Sequence, residues 1–142
     1  MQTSARNQFS GEVVQATAGA VNDEIVIKLA GGQQIVATVT HDSAARLGLT
    51  QGKKAVAMVK ATSVIVMVDA DASKVSARNV VQGKVTELTK GAVNADLTIT
   101  DASGLAVSAI ITNNSVDRLG LAVGKPAAAM FKASSVIVGV DA

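Results

Sequence analysis

Ser4-Ala5-Arg6-Asn7, near the start of the chain, stands again as Ser76-Ala77-Arg78-Asn79, an offset of 76 minus 4, or 72 positions. The same offset carries Arg46-Leu47-Gly48-Leu49 onto Arg118-Leu119-Gly120-Leu121 and Ser63-Val64-Ile65-Val66 onto Ser135-Val136-Ile137-Val138. A fixed period maintained to the end of a chain is the mark of a duplicated structural unit. The expected organisation is one domain at 1–70 and a second at 71–142, joined by a linker at about 69–74. Apolar positions drift between the copies, Ile35 against Val107 and Val39 against Ile111, as exchangeable core residues do. Several small polar and cationic positions do not drift, and that contrast points to a site.

Working outward along the first copy, Gln8 to Thr17 mixes polar and β-branched residues and reads as a strand, closed by a turn at Ala18-Gly19-Ala20. Asp23 to Leu29 alternates, with Ile25, Ile27 and Leu29 on one face, and Gln34 to Val39 places Ile35, Ala37 and Val39 together after a turn at Gly31-Gly32. The pattern changes at Thr40. The run to Gly48 reads as a short helix with Thr40 or Asp42 as N-cap and Gly48 as the stop. Lys53 to Lys60 and Ser63 to Val68 resume strand character, and the second copy follows the same order from Asn79 to Val140. Five strands with one short helix between the third and fourth is the element order of an OB-fold, so the expected class is all-β, two tandem five-stranded Greek-key barrels.

Units of about 70 residues lie near the lower limit for a self-sufficient core, and with no cysteine present association between units is the remaining common remedy. The absence of cysteine also fits a cytosolic setting. Apolar residues make up 49% of the chain but aromatics only 1%, which supplies a β-rich core and little surface for stacking on bases. The chain opens without a basic segment leading into an apolar run, and no stretch approaches 18 uninterrupted apolar residues, so neither a signal peptide nor a membrane span is expected. The net charge of +2 is spread along the chain rather than clustered as nucleic-acid binding would require.

Three polar segments in each copy have no evident structural duty. They are Ser4, Ala5, Arg6 and Asn7; Thr40 with Ser43; and Lys60, Ala61 and Thr62. Their equivalents are Ser76, Ala77, Arg78 and Asn79; Thr112 with Ser115; and Lys132, Ala133 and Ser134. Brought together, these would offer guanidinium, ammonium, hydroxyl and backbone N–H groups with no carboxylate, a set of donors suited to a small, fully deprotonated oxyanion. A plain structural reading stands beside this one. Thr40 and Thr112 serve equally well as ordinary helix caps, Arg6 and Lys60 as solvated surface cations, and Gly19-Ala20-Val21-Asn22 as a turn.

Catalytic arrangements find no support. His41 is the sole histidine and becomes Asn113 in the second copy, which suits an exposed residue at a helix start better than a base. Asp23 becomes Ala95, Asp69 and Asp141 lie in linker and tail positions, and no glycine-rich phosphate loop is present. A binding protein rather than an enzyme is expected, with a tandem OB-fold nucleic-acid module as the alternative.

At these residues the sequence resembles the Mop family of molybdate-binding domains, the molbindins, and in particular their tandem form. The likeness is carried by Ser-Ala-Arg-Asn, Gly-Ala-Val-Asn, Thr-x-x-Ser followed by Arg-Leu-Gly-Leu, and Lys-Ala-[Thr/Ser]-Ser-Val-Ile, in both repeats. It implies an OB-fold per repeat, capture of molybdate or tungstate with no cofactor, cytoplasmic storage, and a homotrimer of six Mop units. It further implies one class of oxyanion site between Mop units, using the three segments above. A second class near a three-fold axis would use Gly19, Ala20, Val21 and Asn22 with Gly91, Ala92, Val93 and Asn94. Two departures between the copies, His41-Asp42 against Asn113-Asn114 and Ala18 against Lys90, suggest that paired sites differ.

Overall fold

The structure, a computed structural model, describes residues 1–141. Ten strands and two short helices run in the order β1 (Asn7–Thr17), β2 (Asn22–Leu29), β3 (Gln34–Thr40), α1 (His41–Leu47), β4 (Lys54–Val59) and β5 (Ile65–Met67), then β6 (Asn79–Lys90), β7 (Asn94–Thr100), β8 (Ala106–Thr112), α2 (Asn113–Leu119), β9 (Pro126–Phe131) and β10 (Ile137–Gly139). Short 3-10 turns at Ala61–Ser63 and Ala133–Ser135 lead into β5 and β10, and a third at Ala72–Lys74 lies in the linker. The element order is the expected one, and the alternation read from sequence describes the core. Ile25, Ile27, Ile35 and Ala37 are at most 1% exposed, as are Leu97, Ile99, Val107 and Ala109 in the second copy. Each such large side chain contributes about 1.5–3 kcal/mol relative to an exposed one.

The two five-stranded antiparallel sheets are not the two repeats. One has the order β10-β4-β1-β2-β3 and the other β5-β9-β6-β7-β8. The chain accordingly divides into unit 1, Met1–Val59 with Lys132–Ala142, and unit 2, Lys60–Phe131. The expected boundary near residue 70 thus marks the repeat, whereas each compact unit takes its last strand from the other repeat. β10 pairs with β4 through Ile137↔Met58, Val138↔Ala57 and Gly139↔Val56; β5 pairs with β9 through Ile65↔Met130, Val66↔Ala129 and Met67↔Ala128. The physical reason is local. The tails Ser63–Val66 and Ser135–Val138 have the same sequence, and each meets an edge of similar residues, Ala-Val-Ala-Met in β4 and Ala-Ala-Ala-Met in β9, so either tail suits either edge.

Within each unit the long first strand is kinked by a bulge, where the register shifts between Val13 and Gln15 in β1 and between Val85 and Glu87 in β6. Gly11 and Gly83 precede these bulges, and a Cβ there would stand 2.4 Å from the Lys28 carbonyl oxygen and 2.1 Å from that of Thr100. Only glycine lets the strands approach so closely. Both helices end as expected, at Gly48 and Gly120 with φ of 66° and 65°, the left-handed conformation that glycine adopts without Cβ strain.

Candidate functional site

The helix starts are the best defined part of the polar constellation. Thr40 Oγ1 accepts from the Ser43 backbone N–H at 3.1 Å and donates to Ser43 Oγ at 2.8 Å; Thr112 and Ser115 repeat this at 3.1 and 2.9 Å. The capping role is therefore real. It does not exhaust the pair, because a serine hydroxyl that accepts from threonine keeps its own proton to donate outward.

Beside each cap lies a Gly-Ala-Val-Asn turn. Asn22 is registered directly opposite Thr40, and Asn94 opposite Thr112. The first helical N–H closes the arrangement, from His41 to the Val21 carbonyl at 2.9 Å and from Asn113 to that of Val93 at 2.8 Å. All four residues of each turn are exposed, with Val21 at 74% and Val93 at 69% the most exposed of the large apolar side chains. Turn and cap, expected to serve different classes of site, thus form one continuous surface within each unit.

The lysine segments follow the exchanged tails. β3, which ends at Thr40, packs against the Ala133–Ser135 turn, and β8, which ends at Thr112, packs against Ala61–Ser63. Unit 1 consequently holds Ser4–Asn7, Thr40, Ser43 and Lys132–Ser134, and unit 2 holds Ser76–Asn79, Thr112, Ser115 and Lys60–Thr62. Sequence order had grouped Thr40 and Ser43 with Lys60, Ala61 and Thr62; the crossing of the chain after Val59 and Phe131 is what regroups them. Ala61 and Ala133 are buried at 5% and 8%, anchoring the turns while Lys60, Thr62, Lys132 and Ser134 remain exposed.

At the N-terminal segments, Asn7 and Asn79 are 2% and 3% exposed, and each is paired to the strand end that immediately precedes a lysine, Asn7↔Val59 and Asn79↔Phe131. Ser4, Arg6, Ser76 and Arg78 are exposed, and Ala5 and Ala77 half-buried. The pairing of Asn7 and Asn79 holds the first residue of β1 and of β6 in the sheet, directly after each arginine.

Asp23, set aside above as a catalytic residue because Ala95 replaces it in the second copy, has a structural partner that the sequence does not show. Asp23 is 7% exposed and accepts from the Gly19 N–H at 3.1 Å, while its Oδ1 lies 2.9 Å from His41 Nδ1. The His41 hydrogen bond, then that of the Gly19 backbone, holds its carboxyl below the usual carboxylate range against the opposing effect of burial. His41 itself, read as an exposed residue at a helix start, is exposed but tethered. In unit 2, where Ala95 replaces Asp23, Gly91 N–H bonds the Asn94 carbonyl at 2.7 Å and Asn113 Nδ2 bonds the Gly91 carbonyl at 2.8 Å. Lys90 adds an ion pair to Asp117.

Among the described residues no group of histidine and carboxylate side chains is arranged to hold a metal ion. A pocket of about 600 Å³ in unit 2, lined in part by Asp69, Gly83, Gly120 and Lys125, includes none of the donor segments. Both phenylalanines, Phe9 and Phe131, are buried, so no aromatic ring is presented for base stacking. Among the described residues no helix is long and apolar enough to cross a membrane.

The TOBE domain model matches the chain twice, over residues 3–66 and 75–138, one match inside each sequence repeat. The chain is 41% identical over 141 residues to the molybdenum transport protein ModE of Herbaspirillum seropedicae, which covers 99% of the chain and 52% of that relative. It is 39% identical over 140 residues to the molybdenum-pterin-binding protein MopA of Rhodobacter capsulatus, covering 99% and 53%. The chain therefore spans about half the length of these curated relatives. Among solved structures, the cytoplasmic molybdate-binding protein ModG, crystallised with molybdate bound, superposes with a TM-score of 0.94 at 44% identity, covering 99% of this chain and all (100%) of that one. With these likenesses the architecture is an all-β, tandem OB-like fold.

Proposed function

Because the chain belongs to the TOBE-domain family in two copies, we propose that it binds molybdate, and tungstate with it, as a non-catalytic store of the ion in the cytoplasm, the compartment of ModG. The observation that carries the reading is the repetition of one donor set in both units. Each holds an arginine, a lysine, a capping threonine with its serine, and the backbone of a Gly-Ala-Val-Asn turn. We assign one class of oxyanion contact to Ser4–Asn7, Thr40, Ser43, Lys60–Thr62 and their equivalents, and a second to Gly19–Asn22 and Gly91–Asn94.

The mechanism is passive capture. Tetrahedral molybdate is a dianion without protons at neutral pH, so it accepts hydrogen bonds and offers none. Arg6 and Arg78 supply planar forks of N–H groups, Lys60 and Lys132 point charges, and Ser43 and Ser115 hydroxyl protons not used in the caps. A charge-assisted hydrogen bond contributes about 1.5–3 kcal/mol. Sulfate satisfies the same donors, so discrimination rests on the size of the closed site. Exposed Val21 and Val93 support self-association into a homotrimer, which would cover them.

Equilibrium dialysis against molybdate with an equal concentration of sulfate tests the reading. Molybdenum is expected to be retained in preference to sulfate, and equal retention or none defeats it. Arg6→Ala combined with Arg78→Ala is expected to weaken molybdate retention about tenfold or more, as loss of one charge-assisted bond per site implies. Native mass spectrometry with and without the ion reads oligomer size and ion count together.

A further inference from the structure

The two Gly-Ala-Val-Asn turns share one tie to the helix start, from its first N–H to the valine carbonyl, yet they stand in different electrostatic surroundings. In unit 1, Asp23 and Asp42 flank the turn and the helix start; their equivalents are Ala95 and Asn114. In unit 2, Lys90 and Asp117 replace Ala18 and Ala45. Glu24 with Asp96 and Arg46 with Arg118 recur in both; farther along the strands Glu12 and Lys28 offset each other in unit 1, as Lys84 and Glu87 do in unit 2, so these drop out of the comparison. The differences amount to two negative charges at the first turn and, since Lys90 and Asp117 offset each other, none at the second.

Position matters more than count. Asp23 is buried, its carboxylate bonded to the N–H of Gly19, the first residue of the turn. A buried charge is screened less than a solvated one. Lys90, by contrast, immediately precedes Gly91 and is held toward α2 by Asp117, with its side chain 46% exposed. Gly91 N–H is bonded to a neutral carbonyl instead of a carboxylate.

We propose that the two turns are unequal oxyanion sites, that Gly91–Asn94 fills first, and that Asp23 is the residue that sets the difference by repelling the dianion from Gly19–Asn22. The proposal rests on the oxyanion-binding reading of these turns and goes beyond it by assigning an order of filling and the residue responsible. One additional negative charge about 7 Å from a dianion in water-like surroundings weakens binding about three- to tenfold. A store with two such sites takes up ion over a wider concentration range than one with identical sites.

The test is a titration of the full chain with molybdate at about pH 8, where histidine as a class is neutral, following the backbone amides of both turns by TROSY NMR. The expected result is a midpoint for Gly91–Asn94 about three- to tenfold below that for Gly19–Asn22. Asp23→Asn, which keeps an acceptor for Gly19, is expected to bring the midpoints together; Lys90→Ala, on an exposed side chain outside the turn, is expected to raise the second midpoint alone. Equal midpoints in the unaltered chain overturn the proposal while the binding reading stands. Unequal midpoints that Asp23→Asn leaves unequal overturn the role of Asp23. If neither turn responds although the chain retains molybdate, the turns are not sites and the proposal fails. If no molybdate is retained at all, the proposed function fails with it.

Discussion

In unit 1 the turn between β1 and β2 is braced by a buried carboxylate; in unit 2 the equivalent turn between β6 and β7 is braced by a backbone carbonyl and a side-chain amide. The Asp23 circuit takes in Gly19 and His41, and the Asn113 circuit takes in Gly91. One tie is common to both, since the N–H of the first helical residue bonds the valine carbonyl of the turn in each unit. The second circuit is less complete, leaving Asn113 Oδ1 buried without a partner, a deficit of about 1–3 kcal/mol for such a group. The lesson is that backbone hydrogen bonds fix the shape of the loop, which leaves its charge free to change. A duplicated chain can in this way hold one shape and present two potentials.

The largest expected effect comes from breaking the arrangement of the units themselves. Removing residues 132–142 deletes a segment encoded in the second repeat but takes β10 from unit 1. Hydrogen exchange is expected to show protection lost along β4, at Val56–Met58, before β9; loss centred on Ala128–Met130 would contradict the exchanged pairing. A smaller effect sharpens the electrostatic difference. The folded-state carboxyl of Asp23 titrates below its unfolded value of about 3.9, so its stabilising contribution is complete above that pH and is lost as pH falls through the lower folded value. Asp23→Ala is therefore expected to lower the melting temperature at neutral pH while making it less sensitive to acid between about pH 5 and 2. A variant that keeps the full acid sensitivity of the parent would show that Asp23 is not its source. The smallest effect is at Lys90. Its ion pair joins side chains that are 46% and 66% exposed, so Lys90→Ala is expected to change stability by about 0–1 kcal/mol in urea titration, less still in high salt.

Much of this architecture is legible in the residues. Alternation placed Ile25, Ile27 and Ile35 in the core, and Thr40 and Gly48 marked the limits of α1, because side-chain period and cap chemistry are local properties. The exchanged strands are not local. Ser-Val-Ile-Val stands in both tails, and strand pairing depends on main-chain groups common to all residues, so nothing in Ile65–Met67 or Ile137–Gly139 states which sheet receives it. The candidate donor segments could be recognised from their repetition, but their grouping could not, since it follows from that exchange. Asp23 and His41 lie 18 positions apart and meet only because β2 begins beside the helix start. His41 taken alone reads as an exposed residue at a helix start, and its replacement by Asn113, with that of Asp23 by Ala95, acquires meaning only once the two are seen in contact.

The interlaced tails also change what the linker does. Asp71 caps the short turn at Ala72–Lys74, and the peptide bonds around it are the obvious place for a protease to cut. Such a cut would not free two halves. Each fragment would still thread a strand into the sheet built mostly by the other, and the nicked protein would travel as one species until denaturant drew the fragments apart.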